Sequence, residues 1–181
     1  MQIIRTMPLR VDRYVELNFH RRVPRPARCP HCGVGHTLQA LGYYWRNLTN
    51  PNGTVLSVSI RRFRCRDCRK TVSILPSFAQ PYKLVLTATI NAFFCGHPGS
   101  EALSWRPHLR RYWNRFTNWI PDLHRFVGSL LARCPPVGNP GEWWTVLVAA
   151  FGDLETMTKK IIEQFRITVF RRYRCHSPFS R

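Results

Sequence analysis

The chain has 181 residues and a formal net charge of +19, from 28 Lys plus Arg against 9 Asp plus Glu, with seven cysteines. That length suits one compact domain or two small ones and excludes a multidomain machine, while 44% hydrophobic and 13% aromatic residues exclude a disordered basic tail. No cationic head followed by an apolar run opens the sequence, and the longest apolar stretch, Trp143 to Phe151, is far shorter than the roughly 20 residues of a spanning helix. Neither export nor a membrane partner is therefore expected.

Residues 1–26 form an N-terminal segment in which Gln2 to Phe19 suits a short strand or helix. It ends in the stiff basic run Arg21-Arg22-Val23-Pro24-Arg25-Pro26, where two prolines oppose helix and suggest a linker or arm. Residues 27–82 are rich in cysteine and patterned for strands. Leu41 to Leu48 and Thr54 to Arg64 flank the turn sequence Thr49-Asn50-Pro51-Asn52-Gly53, which predicts a hairpin. Its second strand alternates, with Leu56, Val58 and Ile60 on one face and Ser57, Ser59 and Arg61 on the other. Thr71 to Leu75 predicts a third strand.

Residues 83–181 read as helical. Helices fit Lys83 to Cys95 and, more shortly, Ser100 to Trp105. The spacing of Leu109, Tyr112, Trp113, Phe116 and Ile120 predicts a helix over Pro107 to Trp119. Pro121 then suits the first position of a further helix, with Leu123, Phe126, Val127, Leu130, Leu131 and Cys134 on one stripe. After the Pro/Gly-rich stretch 135–141, a last helix is expected over Glu142 to Arg172, with a break at Gly152-Asp153. The fold class is thus α+β: a small three-stranded ribbon followed by an all-helical domain.

Four cysteines stand in two C-x2-C pairs, Cys29/Cys32 and Cys65/Cys68, separated by 32 residues. Two intervening residues let both sulfurs of a pair face one centre, and backbone N–H groups of the knuckle donate to the thiolates. With a hairpin between the knuckles this predicts a zinc ribbon holding one structural Zn2+ per chain. Four sulfurs close the coordination sphere and leave no position for a catalytic water. His31 and His36 lie close enough in sequence to replace a cysteine. Cys95, Cys134 and Cys175 are scattered and suit core or surface thiols. An odd cysteine count with metal-type spacing also suits a reducing cytoplasm.

The charge is spread along the chain, with 14 basic against 3 acidic residues up to Tyr82 and 14 against 6 after it. Such an excess, interleaved with aromatics, points to a polyanion. Its densest run holds Arg61, Arg62, Arg64, Arg66, Arg69 and Lys70 around the second knuckle. Zinc with four thiolates carries a charge of −2, which fewer than six cations would balance, so the excess suits phosphate tracking. Tyr43, Tyr44, Trp45 and Arg46 on the partner strand would add stacking, or the aromatics pack in the small core. A second contact element is the 107–119 helix, whose Arg110, Arg111, Arg115 and Asn114 lie off the apolar stripe. It fits the recognition helix of a helix-turn-helix, and equally a solvated helix in a bundle.

The string from Pro24 to Tyr82, with its CPHCG, GYYWR, IRRFRCRDCRKTVSILPSF and QPYK elements, resembles the N-terminal zinc-ribbon domain of bacterial transposase-like proteins associated with insertion sequences, a family of unassigned function. A weaker likeness to the following helix-turn-helix segment of transposases covers the Arg-rich helix around Trp113. The resemblance implies a mobile-element origin, DNA as ligand, and Cys29, Cys32, Cys65 and Cys68 as zinc ligands. Acidic-triad transposases continue into a ribonuclease-H-like domain with three metal-holding carboxylates. Here only Glu101, Asp122, Glu142, Asp153, Glu155 and Glu163 follow the ribbon, mostly in helical pattern, so no catalytic residues are assigned. The leading expectation is a DNA-binding transposase-related accessory protein or truncated transposase, with RNA as a further ligand. The alternatives are an interaction adaptor that docks on a protein partner or a second copy, and a divergent transposase or nuclease.

Overall fold

A computed structural model describes residues 2–50, 52–81, 83–97, 105–165 and 167–172. Strand β1 is Gln2–Arg5, helix α1 Val11–Glu16, and a 3-10 turn covers Phe19–Arg22. Strands β2 (Leu38–Thr49), β3 (Val55–Cys65) and β4 (Thr71–Pro76) follow. Helices α2 (Thr87–Phe94), α3 (Arg106–Val127), α4 (Pro140–Phe151) and α5 (Leu154–Phe165) complete most of the remainder. The fold is mixed α+β, with a four-stranded sheet and five helices among the described residues.

The sheet has the order β1-β4-β3-β2. β2 and β3 form the expected antiparallel hairpin, in register from Thr49↔Val55 to Leu38↔Cys65 with a bulge between Ala40 and Gly42. Its turn is closed by Asn50 N–H donating to Thr54 O (3.0 Å) and by Gly53 at φ 85°, a left-handed conformation that costs glycine nothing. β4 pairs with β3 antiparallel. Three strands were expected; the fourth is β1, which runs parallel along the outer side of β4. A four-residue strand so distant in sequence carries little local signal, and it is held by burial of Ile3 and by ladder bonds to β4.

The chain crosses the sheet after β1. Tyr14 on α1 is fully buried, packs edge-on to Phe78, and donates its hydroxyl to Ser59 O at 3.1 Å. Ser59, on the face of β3 expected to meet solvent, is therefore covered. The N-terminal segment thus joins the sheet unit instead of standing apart as an arm.

Pro121 does not begin a helix. α3 runs unbroken from Arg106 to Val127 with Pro121 inside it. An internal proline costs about 3 kcal/mol, but Ile120, Leu123 and Val127 are all fully buried, and each contributes roughly 1.5–3 kcal/mol. Continuity of the stripe Leu109, Tyr112, Phe116, Ile120, Leu123 and Val127 outweighs the lost hydrogen bond.

Two further expectations on the helices shift. Lys83 to Leu86 is extended, bridging Val85 to Thr49 and Leu86 to Ala79, so α2 starts only at Thr87. The last helix breaks at Gly152, as its sequence suggests, with Asp153 Oδ1 accepting from Thr156 N–H to cap α5. It ends at Phe165, however, and Ile167–Thr168 pairs with Arg171–Arg172 as strands β5 and β6. Trp119 Nε1 donates to Thr168 O at 3.1 Å, and Phe170 enters the helical core. The run Ile167 to Phe170 is β-branched and aromatic, and these contacts draw it out of the helix. The short helix expected at Ser100 to Trp105 falls, except for Trp105, outside the described residues.

Two apolar cores result. One packs about the sheet and includes Tyr14, Val58, Ile60 and Leu75, and the other lies among the helices around Phe94, Phe116, Trp143 and Trp144. Buried polar contacts join them. The Arg46 guanidinium donates to Gln80 O (2.7 Å) and Lys83 O, Thr89 Oγ1 donates to Thr49 O (3.1 Å), and Gln80 Nε2 donates to Thr158 Oγ1 (3.0 Å). Lys83, itself fully buried, places Nζ 4.3 Å from the Tyr112 ring centroid and 4.8 Å from that of Phe170.

Candidate metal centre and basic surface

The two knuckles meet at one end of the β2/β3 hairpin. Cys29-Pro30-His31-Cys32-Gly33 closes through Gly33 N–H donating to Cys29 O at 2.8 Å, with Gly33 at φ 78°. Any residue with a Cβ would be strained there. The second knuckle leaves β3 at Cys65, whose N–H donates to Lys70 O at 3.0 Å, with Arg69 in the left-handed region. Arg66 N–H donates to Thr37 O (2.9 Å), locking the second knuckle against the entry to β2.

The Sγ atoms of Cys29, Cys32, Cys65 and Cys68 all lie within 4.8 Å of one another. Cys29 and Cys68 are 3.7 Å apart, as are Cys32 and Cys65. These separations are far beyond the roughly 2.05 Å of a disulfide, and the cluster is compatible with a bound metal ion. Backbone N–H groups of His31 and Cys32 point at the Cys29 sulfur, and those of Asp67 and Cys68 at the Cys65 sulfur. Thr37 adds a hydroxyl 3.1 Å from Cys65 Sγ.

These surroundings split the thiols. The Thr37 hydroxyl, with the knuckle amides, brings Cys65 down to about 6, whereas burial pushes Cys29 up to about 12. A metal ion among the four sulfurs would hold all of them deprotonated by its own charge. The cluster therefore requires neither His31 nor His36, both exposed. Thr37 carries no signal in the sequence, because its role depends on which strand the second knuckle folds against.

The basic run around the second knuckle does not share one surface. β-alternation sends Arg61 to the face where His20 and Phe63 lie, half-buried, with its guanidinium carbon 5.5 Å from the Phe63 ring centroid. Arg62 goes to the opposite face and stacks over Tyr44 at 5.7 Å. Arg64, Arg66, Arg69 and Lys70 are exposed. On the partner strand, Tyr43 and Trp45 are exposed, Trp45 by 67%, whereas Arg46 is buried and binds backbone carbonyls. Arg46 is thus part of the scaffold and withdrawn from any contact surface.

On α3 the division is as the periodicity predicts. Arg110, Arg111, Asn114 and Arg115 are exposed while Leu109, Tyr112 and Phe116 are buried. Among the described residues, none of Arg64, Arg66, Arg69, Lys70, Arg110, Arg111 and Arg115 forms an ion pair; the carboxylates of Asp12, Glu16, Asp122 and Glu142 pair with other arginines. Cys95 and Cys134 lie at the surface, and Cys175 falls outside the described residues, as does Glu101. No helix is long and apolar enough to cross a membrane among the described residues.

No curated protein and no solved structure matches the chain. One family resemblance is found: residues 29–112, less than half of the chain, match the family described as a domain of unknown function, DUF6431, a stretch that begins at the first knuckle cysteine and ends at Tyr112 on α3.

Proposed function

We propose that the protein is a zinc-stabilised DNA-binding protein of the transposase-related type that its residues 24–82 resemble. Zinc is the ion of choice for a closed set of four thiolates. Tetrahedral bonds of about 2.3 Å set sulfur separations of about 3.8 Å, against 3.7 Å for the two closest pairs. The ion's role is to tie residues 29–32 to residues 65–68. The carrying observation for DNA is the uncompensated charge: exposed arginines and Lys70 at the knuckle end, and Arg110, Arg111 and Arg115 on one face of α3, all without carboxylate partners among the described residues.

Arginines so placed neutralise phosphates and release condensed counterions. If about five phosphates are contacted, log K for duplex DNA falls with a slope near −4.5 against log salt. Arg64→Ala and Lys70→Ala weaken all sequences about equally, whereas Arg111→Ala and Arg115→Ala cost about 1–3 kcal/mol on a preferred site and relax its preference. Titration of labelled duplexes at several salt concentrations reads both. A slope near zero favours instead a protein-docking adaptor, for which exposed Leu41, Tyr43 and Trp45 on the outermost strand β2 are the supporting surface.

A further inference from the structure

Beside the knuckles opens a cleft of about 490 Å³, lined by Arg25, His36, Leu38, Gln39, Ala40 and Arg66. Its basic side chains come from three stretches: the proline-rich run before Cys29, the exit of the first knuckle, and the second knuckle. Each stretch is held by backbone contacts. Arg25 Nη1 donates to Leu38 O at 3.1 Å. His36, at φ 57°, donates its N–H to Ala27 O at 2.9 Å. Arg66 is fixed through its N–H to Thr37 O. Leu38 and Ala40 also line it, Ala40 at the bulge that interrupts the β2/β3 ladder. No carboxylate is among the lining residues.

We infer that this cleft seats a phosphate group between the Arg25 and Arg66 guanidiniums, and that the group is the terminal phosphomonoester of a nucleic-acid strand. The inference rests on the nucleic-acid reading above and specifies where one strand end goes. Guanidinium forks match phosphate oxygens in geometry. A monoester carries close to two negative charges near pH 7, matching two guanidiniums, whereas a backbone diester carries one. The volume exceeds what a lone phosphate fills and lies within the roughly 300–1,000 Å³ of small-ligand sites, leaving room for the attached nucleotide. Two of the three stretches are clamped by the cysteine cluster, so metal binding and a formed cleft go together.

The test compares a short oligonucleotide bearing a 5′-phosphate with the same strand bearing a 5′-hydroxyl, using the full metal-loaded chain and a 3′ fluorophore. The phosphorylated strand is expected to bind about tenfold more tightly, the size of one charge-assisted contact. Arg25→Ala, with metal content unchanged, and Gln39→Glu, which places a negative charge in the cleft without removing a guanidinium, should each bring the two strands level. A nucleoside 5′-monophosphate added as competitor should erase the preference without releasing the strand. Equal binding of the two strands by the unaltered chain overturns the phosphate seat and leaves the nucleic-acid reading standing. A preference that survives both substitutions overturns the location. Monophosphate binding with no binding of either strand overturns the strand as source, while the duplex titration decides the nucleic-acid reading separately.

Discussion

Of residues 27–37 and 65–70, which surround the four sulfurs, only Cys29 and Cys65 are buried. Across the helices, by contrast, Phe94, Phe116, Trp143, Trp144 and Leu147 form the middle of one large apolar cluster. There the Phe94 and Trp144 ring centroids lie 4.8 Å apart, and those of Phe116 and Trp144 5.5 Å. The knuckle end has almost no apolar area to remove from water and would gain its order from a metal cross-link, whereas the helical end is held mainly by burial, with indole hydrogen bonds such as Trp119 Nε1 to Thr168 O beside it. A small unit can be ordered by metal coordination where the hydrophobic effect is too weak to do it, and its surface is then left free for charge.

The largest expected effect follows from that division. Chelation of the metal should remove a coordination free energy of about 10–16 kcal/mol, and Cys65→Ser the part of it that one thiolate supplies. Either should disorder residues 27–37 and 65–70 while leaving most helical circular dichroism in place. Metal content by native mass measurement and amide exchange check this. Simultaneous loss of the helices would break the contrast, because it would show that the sheet and helical cores melt as one.

The converse substitution acts on the other end. Trp144→Ala removes a buried ring that also donates Nε1–H to Cys95 Sγ at 3.4 Å. It should destabilise the protein by about 3–5 kcal/mol in denaturant titration, with metal stoichiometry unchanged. Thr37→Val is milder and local. It deletes the hydroxyl that stabilises the Cys65 thiolate while keeping the side chain's shape. Loss of such an outer partner should weaken metal affinity about 10- to 100-fold, read by competition with a chromophoric chelator.

The smallest effect concerns the joint between the N-terminal segment and the sheet. His20 is buried, stacks edge-on to Tyr43 at 4.8 Å, and has its pKa lowered first by burial and then by Arg21 and Arg61. A depressed folded value means that the unfolded chain takes up its proton first, near pH 6.5. The stability that neutral His20 contributes is therefore complete above that pH and is lost as pH falls through the folded value. His20→Gln should flatten this part of the pH dependence of the unfolding midpoint, leaving metal affinity at neutral pH unaltered.

Local chemistry was legible where a few neighbouring residues suffice. The C-x2-C spacing marks both knuckles, the Asn50 to Gly53 turn marks the hairpin, and the stripe from Leu109 to Ile120 marks the buried face of α3. The basic run from Arg61 to Lys70 was legible as charge but not as a surface, because β-alternation divides Arg61 from Arg62 and burial half-covers both. Arg25 could be read only as part of a stiff arm. Its place in a cleft depends on Leu38 and Arg66, which lie far along the chain.

The sequence by itself determined which groups could form the metal cluster, where the chain turns, and which helical faces are apolar, since each depends on bond geometry and periodicity within one turn or strand. Only the tertiary structure decided that β1 lines the sheet beside β4, that α3 continues through Pro121, and that Ile167 to Phe170 leaves the helix to pack on Trp119 and the aromatic core. It also decided that Arg46 and Lys83 are buried in the joint between the two cores. In each of these cases burial against residues distant in sequence outweighs a local preference of a few kcal/mol or less, and no window along the chain contains the partners that tip the balance.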